Sequence, residues 1–233
     1  MNRVLSVARI LVTSWLNTLG WPVIILASSF AVNLVIFTAI GDEIPYGAGF
    51  VTGGIVSIYI VEAIASGQAI TQFFSFAVGL NVTRRTFYLA TCLVVLAQSV
   101  VFGILLYVCA LIEHATAGWG IGLPFFDAVP VTHGNSPVNI AVYAVPMALL
   151  SFIGVFIAVV WKRWGNSGFF MLSLLTIVGL GLLGALITWR GGWPAVGAWF
   201  VDQPALLLVA GWTLIPVAAL AGGGYAVLRR ANP

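Results

Sequence analysis

Along this chain apolar residues do not alternate with polar ones but run on for long stretches, separated by short polar or turn-rich breaks. A hydrocarbon core of about 30 Å needs about 20 apolar residues of helix to cross it. Six runs meet that length, at 21–40, 53–79, 88–112, 138–161, 169–189 and 205–228, and are expected as membrane-spanning helices. Pro22 falls in the first turn of the first run, where its missing N–H costs little. Pro146 and Pro216 lie inside theirs and predict kinks. The start of the chain has a different pattern: Val4, Leu5, Ala8, Leu11, Val12, Trp15 and Leu16 share one helical face, opposite Asn2, Ser6, Arg9 and Thr13. That is an amphipathic helix over 1–18 lying on a membrane surface, with a plain extension of the first span as the other reading. A signal peptide would have an unbroken apolar core, which Arg9 interrupts. Between the fifth and sixth runs, the segment 190–204 is apolar and aromatic but too short to cross, so an interfacial or re-entrant piece is expected there. The expected fold is all-α, a single polytopic transmembrane domain over 1–233.

Composition agrees with the pattern. The chain is 61% hydrophobic and 6% charged, with mean hydropathy +1.12, whereas soluble domains carry roughly a quarter charged residues. The net charge of +3 is no nucleic-acid signal, because the basic residues sit in pairs at the breaks and form no patch. They report topology. Six spans put Arg3, Arg9, Arg84, Arg85, Lys162, Arg163, Arg229 and Arg230 on one side, and Asp42, Glu43, Glu113, Asp127 and Asp202 on the other with Arg190 alone among the bases. By the positive-inside rule the basic side is cytoplasmic, N-in and C-in. The sequon Asn81-Val82-Thr83 would then face the wrong side for glycosylation. Cys92 and Cys109 fall in one helix about 25 Å apart, too far for a disulfide. No repeat between the halves is evident, although inverted symmetry is often invisible in one sequence.

The candidate chemistry is sparse. A phosphate-binding loop needs Gly-Lys followed by Ser or Thr, and the single lysine, Lys162, lies between Trp161 and Arg163. No nucleophile and base can be assembled either, so an enzyme is not expected. Glu62 is the one carboxylate inside a run, and an intramembrane acid marks a functional site by default. Two readings are open for it: handling of substrate or protons, or a structural hydrogen-bonded acid. Gln68, Thr71, Gln72 and Ser75 follow helical spacing and form one polar stripe, either glue between helices or the lining of a substrate path, with Gln98 a further member of the same interior. Gly181, Gly184, Ala185 and Thr188 give small-residue spacing expected to pack within the subunit rather than against a second copy. His114, His133, Glu113 and Asp127 share the loop 113–137 but match no compact metal motif, so no metal is expected.

The stretch Phe76-Ala77-Val78-Gly79-Leu80-Asn81-Val82-Thr83-Arg84-Arg85-Thr86-Phe87-Tyr88-Leu89 resembles the "ALG-x-(S/T)-R-R-x-FYLG" segment of permease subunits of type-2 ABC exporters, in particular short six-span actinobacterial members. Gly223-Gly224-Tyr225-Ala226-Val227-Leu228-Arg229-Arg230-Ala231 is similar to that family's closing "GG-x-x-x-LRRA". The resemblance implies an N-terminal elbow helix, a coupling helix within 79–87, and two permease copies docked on two ATP-binding-cassette ATPase subunits that carry the ATP and Mg. Carried onto this sequence, the coupling contact is Asn81, Thr83, Arg84, Arg85 and Thr86, with Lys162 and Arg163 on the same side, and 190–204 stands for the family's re-entrant segment. The expected function is the permease of an ATP-driven exporter. A proton-coupled carrier using Glu62 and a non-transporting scaffold subunit are the alternatives.

Overall fold

A computed structural model of the chain describes residues 3–13, 16–40, 52–126, 136–204 and 206–230, and among these there is helix and turn but no strand. Five helices are long and apolar enough to cross a membrane. In chain order the elements are α1 (Arg3–Thr13), α2 (Trp21–Ile40, entered through a π turn at Leu16–Gly20), α3 (Val56–Gly79), α4 (Arg84–Ala115), α5 (Ser136–Trp189), α6 (Trp193–Asp202) and α7 (Leu214–Leu228, entered through a π turn at Leu207–Trp212). Asp42, Glu43, Asp127 and His133 lie outside the described residues.

The expected fourth and fifth runs are the two arms of α5, which meet at a kink. Its one non-helical residue is Gly165, at φ 62° and ψ −147°, a conformation essentially restricted to glycine. Phe156 and Leu175 line one groove, although a straight helix would hold residues so spaced about 28 Å apart. The helix therefore folds back at Gly165, and Trp161 meets Phe169 edge to face across the bend at 6.0 Å. Gly165→Ala has room for its methyl group but not the backbone freedom. It is expected to lower stability by about 1–3 kcal/mol, read as a lower melting temperature in detergent; an unchanged melt would refute the account of the bend.

The centre of the bundle is α3, α4 and the first half of α5. One stripe of α3 is buried, namely Ile58, Glu62, Ser66, Gly67, Ile70, Phe74 and Ala77, which is the helical repeat of a single face. That face meets α5 with the two helices running parallel: Tyr59 Oη donates to the Tyr143 carbonyl at 3.3 Å, and Lys162 Nζ to Ser75 Oγ at 2.8 Å. Between those contacts the backbones touch. A Cβ on Gly154 would overlap the Ala63 carbonyl oxygen, and one on Gly67 would stand 3.0 Å from the Gly154 oxygen. The small residues Ala63, Gly67, Gly154 and Ala158 are thus the close seam of the fold. The seam expected at Gly181 and Gly184 does not form within the chain, because both glycines meet open space. No residue of the second half of α5 is buried, and neither is any residue of α6.

Helix α1 lies against α4 with Ala8 and Leu11 of the expected apolar face buried together with Val7, while Leu5 and Val12 remain exposed. Pro216 is the third residue of α7, and the irregularity falls ahead of it, in the π turn at Leu207–Trp212. This is the local readjustment expected where a proline leaves a carbonyl without its usual donor. Pro146, by contrast, is accommodated inside α5 without non-helical torsions.

Candidate functional site

The two stretches that carry the resemblance meet at one end of the bundle. Helix α3 closes with Asn81 at φ 58°, while Val82 N donates to the Ala77 carbonyl at 3.1 Å and Asn81 N to the Val78 carbonyl at 3.0 Å. That pairing is the Schellman closure, with asparagine supplying the left-handed residue. The next residue, Thr83, caps α4 by accepting from Thr86 N at 3.2 Å. No separate helix stands between α3 and α4: Arg84, Arg85 and Thr86 are already the first turn of α4, which begins four residues ahead of the expected 88.

Two cations in the first turn of a helix face the positive end of its dipole, unfavourable by about 0.3–1 kcal/mol each. Arg84 offsets this by donating from Nη1 to the Arg229 carbonyl at 3.0 Å, at the negative end of α7. One turn further on, Tyr88 Oη donates to the Ala221 carbonyl at 2.7 Å and its ring lies 5.8 Å from that of Tyr225. Gly224 is required beside it, since a Cβ there would stand 2.5 Å from Tyr88 Oη. Arg85 is exposed and has no side-chain partner among the described residues. Beside the turn an open groove of about 460 Å³ separates it from α1, lined by Arg3, Ser6, Ile10, Asn81, Thr83 and Thr86 among others.

Lys162 and Arg163 occupy the same end of the bundle. Lys162 is held by Ser75, and the Arg163 guanidinium lies 4.1 Å from the centre of the Trp164 ring. Among the described residues no side-chain ion pair occurs at this end, and none of the six Asp and Glu residues falls in 79–87, 161–168 or 228–230.

The expected polar stripe does not stay together and is not buried. Gln68, Gln72 and Ser75 are exposed and Thr71 is half-buried. Gln68 and Gln72 share a small cavity of about 40 Å³ with Ser66, Thr91, Gln98 and Thr18, room for one or two waters. Thr71 faces a separate groove beside Gly67 and Gly154, and Ser75 is taken by Lys162. The stripe diverges because its residues span the rim between two grooves, a curvature that periodicity alone does not contain. Gln98 joins the cavity from α4 and is fixed there, its Nε2 donating to the Thr18 carbonyl at 2.8 Å.

Glu62 is fully buried one turn from this cavity. Ser66 Oγ donates to its Oε1 at 3.4 Å, and its Oε2 has no hydrogen-bond partner. Ser151 Oγ, on the facing part of α5, is equally buried and unpartnered.

Sequence reasoning weighed Glu113 only as a metal ligand, and its observed role is different. Its Oε2 accepts from Trp119 Nε1 at 3.1 Å, Phe125 N at 3.0 Å and Phe126 N at 2.8 Å. It thereby holds an aromatic cap in which the Phe30 ring lies 4.9 Å from Trp119 and 5.3 Å from Phe125. His114, the next residue, is exposed. Among the described residues no group of three His, Cys, Asp or Glu is close enough to hold a metal. Both cysteines are free.

No family model matches the chain, nor does any curated protein or solved structure.

At the basic end, one capped turn joins α3 to α4 and is tied by Arg84 and Tyr88 to α7.

Proposed function

We propose that this chain is the membrane-spanning permease subunit of an ATP-driven, ABC-type exporter, and that the turn at 81–86 receives the stroke of a separate ATPase subunit. In this reading α5 crosses the bilayer twice, once on each side of Gly165, giving six crossings with both ends of the chain on the cytoplasmic side of a bacterial membrane. Helix α1 lies in the interface with Leu5 and Val12 toward lipid, and 190–204 rests at the opposite surface. The carrying observation is the unpartnered Arg85 on a turn capped on both sides and latched to α7. Arginines suit that role because they pair bidentately with carboxylates on a docking protein.

Two further features agree with it. Gln68, Gln72 and Ser75 are exposed on the side of α3 whose other large exposed residues are apolar, and such groups must meet protein or water. A second permease copy forming a shared path would supply both. A proton-coupled carrier is the second reading, favoured by the unpartnered, fully buried Glu62 Oε2. The path residues in either case are Glu62, Gln68, Thr71, Gln72, Ser75 and Gln98.

The test is co-assembly with an ATP-binding-cassette ATPase encoded beside this chain, followed by reconstitution. Hydrolysis is expected to rise on assembly. Arg84→Ala/Arg85→Ala is expected to lower the stimulated rate at least ten-fold with insertion intact, and Arg85→Ala alone to do most of it, because Arg84 is committed to α7. Normal stimulation in the double variant would reject the coupling assignment. Gradient-driven uptake without any ATPase, lost in Glu62→Gln, would favour the carrier instead.

A further inference from the structure

The fold-back of α5 creates a groove of about 420 Å³ on the bundle's flank, walled by Phe156, Val160 and Trp164 from the first half, Met171 and Leu175 from the second, and Val227 of α7. Its volume is that of ligand pockets, about 300–1,000 Å³. Apart from Ser167 and Gly168 at the bend, its lining is apolar or aromatic. Hydrocarbon is the only chemistry that satisfies such walls.

The mouth is different. Arg163 lies over the outer part of the wall, stacked on Trp164 at 4.1 Å. Arg230 stands one turn past Val227, with its backbone N bonded to the Val227 carbonyl at 3.1 Å. Among the described residues neither guanidinium has a side-chain hydrogen bond or ion pair. Two wall residues of the apolar slot, Trp164 and Val227, thus stand next to a cation, Arg163 stacked on the first and Arg230 one turn past the second.

We propose that this groove is a specific site for one anionic phospholipid, with an acyl chain between the halves of α5 and the phosphate between Arg163 and Arg230. A second copy of the chain is the poorer occupant. A symmetric contact would bring Arg163 and Arg230 toward their own counterparts, and the chain has no carboxylate side chain at this end to relieve the repulsion. A lipid supplies the missing charge and the missing hydrocarbon together, and basic pockets between spanning helices select anionic headgroups on this principle. The inference does not depend on transport: it needs only that α5 and α7 lie in a membrane.

The full chain in detergent, titrated with dioleoyl phosphatidylglycerol or dioleoyl phosphatidylcholine, tests this by native mass spectrometry. One phosphatidylglycerol is expected to persist under collisional activation that strips phosphatidylcholine. Arg163→Gln/Arg230→Gln is expected to reduce its retention about ten-fold, and Arg163→Lys/Arg230→Lys to restore much of it. Leu172→Trp, which fills the groove and leaves both arginines, is expected to lose the lipid as well. Equal retention of the two lipids would overturn the proposal, as would full retention in the glutamine variant. Displacement of the lipid by millimolar inorganic phosphate would reduce the site to an anion contact without an acyl chain. A Leu172→Trp variant that changes the dimer population while still holding phosphatidylglycerol would assign the groove to a second copy. Each variant is first required to elute as a monodisperse species, and for any that does not, bromine-labelled phosphatidylglycerol quenching of wild-type tryptophan fluorescence, compared with labelled phosphatidylcholine, gives the same decision: equal quenching rejects the site.

Discussion

Gly154→Val is expected to leave little folded chain after detergent extraction, whereas Gly181→Val is expected to extract as the wild type does. The difference follows from what each added carbon would meet. At Gly154 it overlaps the Ala63 carbonyl oxygen, a backbone atom in the middle of a helix that cannot swing aside as a side-chain tip does; at Gly181 it meets nothing within 4 Å. Relief requires α3 and α5 to part along their whole parallel contact. That loosens the Tyr59 bond to Tyr143 at one end and the Lys162 bond to Ser75 at the other. Overpacking a well-filled core costs about 1–3 kcal/mol, and here the upper end or beyond is expected, because both atoms belong to backbone. Helices in lipid also associate through close packing without a hydrophobic force to compensate. The fraction of protein eluting as a monodisperse peak, together with its melting temperature, measures the effect. Equal yields for the two variants would show that the α3–α5 seam does not hold the bundle together.

Glu113→Ala is expected to be the next most damaging single change. It removes the acceptor from three donors at once, Trp119 Nε1 and the backbone N–H groups of Phe125 and Phe126, both of these residues being buried. A buried donor stripped of its partner costs about 1–3 kcal/mol, so a total loss of about 3 kcal/mol or more is expected. Unravelling should be local at first, reported by Trp119 losing its packing against Phe30. Glu113→Gln keeps one carbonyl oxygen in place and should lose far less. A Glu113→Ala protein melting within a degree or two of wild type would mean that the aromatic cap is held by ring packing alone.

Both predictions rest on features that hydrophobic patterning does not reveal. Ala63, Gly67, Gly154 and Ala158 have the same small-residue spacing as the stripe at Gly181 and Ala185, and spacing cannot say which stripe finds a neighbour. Glu113 sits at the end of an apolar run beside His114, and its residue type and position placed it only in the loop 113–137 on the acidic side. Only the return of 119–126 over the end of α4 turns it inward. The polar stripe on α3 illustrates the reverse error: Gln68, Thr71, Gln72 and Ser75 do share a helical face, but that face lies at the rim between two grooves, so one stripe becomes three environments.

The basic turn was more legible. Leu80, Asn81 and Thr83 carry their own structural instructions, since asparagine tolerates the left-handed closing position and threonine caps the helix that follows. The paired arginines were visible too. Their division of labour was not, because Arg84 meets Arg229, 145 positions further along the chain, and no local pattern encodes a contact that distant.

By itself, then, the sequence determined the all-helical class, the long apolar helices and the polar break that follows Gly79, because each follows from residue type, local spacing or charge count. The tertiary structure alone decided which glycines touch backbone, that Gly165 folds α5 into a hairpin with a groove along it, that Glu62 and Glu113 point inward, and which arginine is left unpaired. Those outcomes depend on how helix surfaces fit one another in space, and in a chain so nearly uniform in hydrophobicity many pairings satisfy the same pattern while very few satisfy the same packing.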